Sequence, residues 1–155
     1  MRRARGRRAL LAAAAAALLV PAPGRAESPE VLYMLHCQGC HLEDGMGRPG
    51  AVRAFPGTLG RLLAAPGARA YLVQVPGSAQ APIADAELAG LLTWLVARFA
   101  PEAGAAFAPY SAAEVARYRA TPLADPAAAR AALLGSEEGP RRAGILPATV
   151  RGEGR

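Results

Sequence analysis

The residues Cys37-Gln38-Gly39-Cys40-His41 are the stretch of this chain whose types and spacing point most directly to chemistry. The spacing C-x-x-C-H reads as a c-type haem attachment signal. Each thiol adds across one vinyl group of the haem, sulfur bonding one carbon and hydrogen the other. The imidazole that directly follows the second thiol then reaches the iron as its proximal ligand. Two sulfurs must meet fixed points on a porphyrin edge while the next residue turns under the metal, and this spacing meets both demands. One covalent haem c is therefore the expected cofactor, with Cys37, Cys40 and His41 holding it and His41 on the iron.

C-x-x-C alone is a weaker signal, shared by thioredoxin-like redox pairs and by halves of zinc sites. These are the only 2 Cys in the chain, and His41 is one of only 2 His. A tetrahedral zinc site would have to crowd Cys37, Cys40, His36 and His41 into six residues, and a thioredoxin-like reading needs a βαβ context that is missing.

The elements that must position this stretch read as helices. Ser28-Pro29-Glu30 is a compact helix start, a hydroxyl cap followed by Pro at the first position and an acid in the first turn. A short helix from 29 into the motif follows, carrying Val31, Leu32, Tyr33 and Leu35. Residues 42–56 are rich in Gly and Pro and read as loop. Short helices are expected over 58–63 and 68–74, then a loop over 75–83. Asp85 caps the strongest helix, 86–99, on which Leu88, Leu91, Leu92, Leu95 and Phe99 form one apolar stripe. Trp94 stands beside that stripe, and Gly90 permits close approach of another helix. Further on, Ser111 and Glu114 make a capping box before a helix to 120, and Asp125-Pro126 starts another that runs to Leu134 with Gly135 as its stop.

The outer parts of the chain have a different character. Residues 1–26 carry the pattern of a secretory signal peptide: five Arg among the first eight residues, an apolar run from Ala9 to Val20, and small residues before a cut near Ala26. The run is too short to favour a retained membrane anchor. Arg7-Arg8 faintly resembles a twin-arginine signal, but haem attachment outside the cytoplasm needs an unfolded chain, which favours ordinary secretion. Six of the 18 basic residues, all Arg, lie at or before position 25, so residues 27–155 hold 12 Arg against all 12 acids. The part that remains after cleavage is neutral by count, and no electrostatic footprint for nucleic acid is present. Residues 136–155 read as a flexible tail.

By the motif, by the helix before it with its aromatic Tyr33, and by the amphipathic helix over 86–99, residues 28–100 resemble a class I cytochrome c. The resemblance implies an all-α fold, a small class I cytochrome c-like helical domain around one covalent haem, over residues 27–100. To this are added a short helical extension, 101–135, and the tail. It implies that the N-terminal helix crosses the helix over 86–99, and that a Pro carbonyl, from Pro49 or Pro56, accepts the Nδ1–H of His41. Arg48 or Arg53 could pair with a haem propionate. The haem would supply core that so small a domain lacks, leaving the apo form poorly folded.

The resemblance fails where the family usually places a Met as sixth ligand, in a loop before the last helix. Here that stretch is Gln80-Ala81-Pro82-Ile83, with Ala81 at the expected position. The 3 Met are Met1, Met34 and Met46, and the chain has neither Lys nor Asn. Gln80 is the candidate distal ligand, with Gln74, Tyr71, Met46, His36 or an open position as alternatives. Without a thioether the haem potential should fall and small ligands could reach the iron.

The implied function is a periplasmic monohaem cytochrome, an electron carrier and not an enzyme, passing single electrons between a dehydrogenase and a downstream acceptor. The alternatives are a haem protein with an open site that binds a gas or peroxide, or a haem subunit of a larger oxidoreductase. Redox proteins are the expected partners, with no nucleic acid and no membrane association after signal cleavage.

Overall fold

The computed structural model describes residues 26–104 and 106–135; the signal-peptide pattern up to residue 25 and the tail from residue 136 lie outside the described residues. The described chain is all-α. Its one β feature is an isolated antiparallel bridge between Arg48 and Val52.

Among the described residues nine helical segments follow one another: α1 (Pro29–His36), α2 (Gln38–His41), α3 (Leu59–Leu63), α4 (Ala68–Gln74), α5 (Pro76–Ala79), α6 (Asp85–Phe99), α7 (Pro101–Gly104), α8 (Ala112–Arg119) and α9 (Pro126–Leu134). The long helix α6 is the axis of the molecule, packed by α1, α7 and α8. Its stripe, Leu88, Leu91, Leu92, Leu95 and Phe99, is buried as its periodicity predicts. Asp85 is the first helical residue rather than the cap. Ala84 stands at the cap, and Glu87 Oε2 reaches back to accept from its N–H at 2.9 Å. An acid at the third position satisfies that orphan donor even though alanine has no acceptor to offer in return.

The N-terminal helix lies against α6 through aromatic packing. Tyr33 is buried with its ring 5.4 Å from both Trp94 and Phe99. Its hydroxyl donates to the Leu42 carbonyl at 2.6 Å, and burial pushes its pKa up to about 12, so it remains a donor. Gly90 does face α1, but a Cβ there would meet Pro29 Cγ at 4.0 Å, an ordinary contact. Close approach is real; glycine is not required for it.

Two elements depart from the sequence reading. The stretch 75–83 contains one helical turn, α5, begun by Pro76, whose missing N–H is no loss at a first helical position. Segment α7 was not expected. The capping box at α8 is half-formed: Ser111 Oγ accepts from the Glu114 N–H at 3.1 Å, while the Glu114 carboxylate turns away to Arg69.

Residues 106–135 pack onto the rest as part of the same core, with Tyr110 and Val115 buried in it. Arg69, Gln74 and Arg119 are prominent among the side chains that tie them down. Arg69 makes a two-pronged pair with Glu114, at 2.8 and 2.7 Å, donates to the carbonyls of Ala108 and Pro109, and lies over the rings of Phe107 and Tyr110. Gln74 donates to Thr121 and accepts from the Leu123 N–H. Arg119 donates to the carbonyls of Ala79, Ala81 and Ile83 and pairs with Asp85 at 2.7 Å.

Candidate haem site

Helix α1 ends at His36, and Cys37 sits between it and the single turn α2, which carries Cys40 and His41. The Cys40 and His41 N–H groups both donate to the Cys37 carbonyl, at 3.1 and 2.9 Å, which bends the motif into a tight coil. The chain leaves it through Leu42, a non-glycine residue at φ 64° whose carbonyl is held by Tyr33. A left-handed residue without glycine costs about 1 kcal/mol or more, and the buried tyrosine hydroxyl offsets part of that.

The loop that follows is folded back on the motif. Gly47 N–H donates to the His41 carbonyl, Phe55 N–H to the Gly45 carbonyl, and the Arg48 guanidinium to the Gly39 carbonyl at 3.2 Å. Gly47 has φ +66°, and a Cβ there would sit 2.4 Å from the Val52 carbonyl oxygen. No other residue fits that position without moving the loop. The result is that Phe55 stacks on His41, ring centroids 4.0 Å apart and nearly parallel.

Cys37, Cys40 and His41 line one wall of a cavity of about 420 Å³. The remainder is mostly apolar: Leu59 and Leu62 from α3, Leu72 from α4, and Leu88, Leu91, Leu92 and Leu95 from α6. Both cysteines are free thiols. Burial pushes the Cys37 thiol up to about 11, which marks it as the reverse of an activated redox or nucleophilic cysteine. Burial lowers the His41 pKa, with the Arg53 backbone pulling it partly back, so the ring is neutral near pH 7 and its lone pair free. No hydrogen bond of good geometry reaches its buried Nδ1. Neither Pro49 nor Pro56 therefore supplies the expected acceptor; the loop's hydrogen bonds go to the motif backbone instead.

A half-buried imidazole held neutral near pH 7, two free thiols beside it and an apolar cavity in front of all three would fit a covalent haem. Haem c supplies, when bound, a one-electron iron couple. Among the described residues no group of three or more His, Cys, Asp or Glu is arranged to hold a metal ion on protein ligands alone.

The distal candidates are dispersed. Gln80 is exposed and off the cavity wall, where Ala81 stands in its place. Met34 and Met46 are more than half exposed and off the wall as well. Gln74 is tied to Thr121 and Leu123. His36 and Tyr71 do line the cavity, Tyr71 with its hydroxyl donating to the Pro126 carbonyl at 3.2 Å. Sequence reasoning missed Pro126, Ala127 and Arg130, which bring the extension itself into the wall. The signal was present in α9, where Arg130 is the lone charge in Pro-Ala-Ala-Ala-Arg-Ala-Ala-Leu-Leu.

Comparison of the chain with protein-family models, with curated proteins and with solved structures finds no match.

Proposed function

We propose that this protein is an exported, class I-like monohaem c-type cytochrome that carries single electrons between redox proteins in the periplasm. The observation that carries the reading is the joint placement of Cys37, Cys40 and His41 on one apolar cavity. In it, Cys37 and Cys40 anchor the haem through thioethers and His41 ligates its iron. The stacked Phe55 fixes the imidazole plane, and the leucines of α3 and α6 exclude water from the porphyrin face. A dry, rigid surround lowers the reorganisation needed when charge changes by one unit. Met34, Leu35, Leu42 and Met46 are large apolar residues left exposed within ten positions of the motif. Such side chains suit brief docking of a dehydrogenase or an acceptor at a small interface.

A second reading, a haem protein open to a small ligand, is favoured by Ala81. The loop that would carry a sixth ligand presents a methyl group to the cavity, and Arg119 binds three of its carbonyls. Absorption spectra of the purified protein separate the two. A low-spin ferric spectrum and a ferrous spectrum unmoved by carbon monoxide support the carrier; a high-spin spectrum that shifts with carbon monoxide supports the open site. Failure to find a pyridine haemochrome bound through thioethers would remove both.

A further inference from the structure

The stretch from α5 to α6 brings Gly77, Ser78 and Ala81 to the cavity wall, while Gln80 is exposed and off the wall. Hydrogen bonds from Arg119, at the end of α8, converge on this stretch. Its Nε donates to the Ala79 carbonyl at 3.3 Å. One terminal nitrogen donates to the Ile83 carbonyl at 2.9 Å and to the Asp85 carboxylate at 2.7 Å, and the other to the Ala81 carbonyl. The Arg119 side chain is 16% exposed, and the helix that bears it packs on α6 and α4 with Val115 buried. Backbone bonds within the segment are local: the Ala81 N–H donates to Ser78, the Ile83 N–H to Ala81, and Pro82 has no N–H to offer. Arg119 adds a tertiary hold. A planar guanidinium keeps its donors in a fixed fork, so a segment bonded to it through three carbonyls cannot rotate without breaking at least one bond. Such a rotation is what would bring the Gln80 amide to the wall in place of the Ala81 methyl group.

We infer that Arg119 is a positioning residue of the cavity: by holding the carbonyls of Ala79, Ala81 and Ile83 it keeps the Ala81 methyl group on the wall and the Gln80 amide off it. The inference rests on the haem reading in its open-site form, where this segment gives the iron no sixth ligand. Within Ala79-Gln80-Ala81-Pro82-Ile83, Gln80 alone has a side-chain oxygen that could serve as one. An arginine outside the part of the chain that resembles a cytochrome thus decides whether a methyl group or an amide lines the cavity there.

The test uses the full-length holoprotein with Gln80→Ala, Arg119→Gln and the two together. Glu114→Gln serves as a control that loosens α8 at Arg69 without touching 79–83. Ferric absorption spectra are recorded and titrated with cyanide. The expected wild type is high-spin and binds cyanide, and neither property changes in Gln80→Ala or Glu114→Gln. In Arg119→Gln the released amide competes for the iron, so high-spin absorption falls and cyanide binds at least about threefold more weakly, near the lower end of measurable coupling. Adding Gln80→Ala restores both. If Arg119→Gln does not fold, Arg119→Lys, which keeps a cation beside Asp85 but lacks the fork, is read the same way. A wild-type spectrum altered by Gln80→Ala overturns the inference, since the amide is then already a ligand. A low-spin wild type that takes no cyanide overturns it too. So does an Arg119→Gln variant with lowered stability and unchanged cyanide affinity, a loss that Gln80→Ala does not reverse, or a like loss in Glu114→Gln. Each of these results leaves covalent haem, and with it the haem reading, in place. A purified wild-type protein without haem overturns this inference and the haem reading together.

Discussion

His41 is held by what surrounds it more than by what it bonds. Phe55 fixes its plane, the Cys37 carbonyl its backbone, and Gly47 the loop that places Phe55. Replacing Gly47 by Ala combines a left-handed backbone with a Cβ inside contact distance of two carbonyl oxygens. We expect a loss of about 2–4 kcal/mol, read from urea unfolding, since the backbone must move to relieve it. Tyr33→Phe keeps the aromatic packing and removes the donor to Leu42; about 1 kcal/mol should be lost in the same measurement. On the proposed haem attachment, Cys37→Ala and Cys40→Ala should each leave one thioether, and the double variant should yield protein whose haem is extracted by acidic butanone. The motif was legible because five adjacent residues define it. The cationic contacts were not: Arg69, Arg119 and Arg130 look alike in sequence, and only the tertiary structure tells which carbonyls, rings or cavities lie within their reach.

At the scale of elements, α8 is fastened by two arginine clusters. The Arg69 guanidinium beside Glu114 holds that carboxyl below its ordinary value of 4.5. A depressed folded-state pKa means that the pair stabilises fully above pH 4.5 and that its contribution is lost as pH falls through the depressed value. Glu114→Gln should remove about 1 kcal/mol at pH 7, the pair being partly solvated, and should flatten the acid limb of the stability curve. Arg119→Gln should release the 79–83 segment, seen as faster amide exchange at Ala81 and Ile83, whose carbonyls lose their donor. Helix α6 was readable from its stripe, and α8 and α9 from Ser111, Asp125 and Pro126, because caps and periodicity are local signals. The turn α5 was not, since Pro76 and Gly77 read as loop, and only the N–H groups of Ser78 and Ala79 donating to Val75 and of Gln80 donating to Pro76 reveal the helix.

For the molecule as a whole, the extension and the segment before it share one core. Val115 is fully buried, and Tyr110 is pinned at both ends, its N–H by Thr93 and its hydroxyl by the Arg69 carbonyl. A chain ending at Ala100 would expose the α6 face that α8 covers and lose the Arg69, Gln74 and Arg119 ties together with those of Tyr110. We expect it to show a broadened, lowered thermal transition by circular dichroism, with the haem spectrum more accessible to carbon monoxide than in the full chain. Sequence alone set residues 101–135 apart because they lie outside the family resemblance; two short Ala-rich helices cannot form an independent core, which predicts packing on the preceding segment or on a partner without saying which. Their docking rests on arginines reaching backbone carbonyls, which leave no periodic mark.

The wall of the cavity is assembled from the two ends of the described chain, and a polypeptide is made from one end only. About 90 residues separate His41 from Arg130, roughly 4–18 s of synthesis at ~5–20 residues per second. During that interval the thiols exist while Pro126, Ala127 and Arg130 do not. The order of emergence thus leaves this wall incomplete until Pro126, Ala127 and Arg130 have been made, α9 being the last of the described helices to appear.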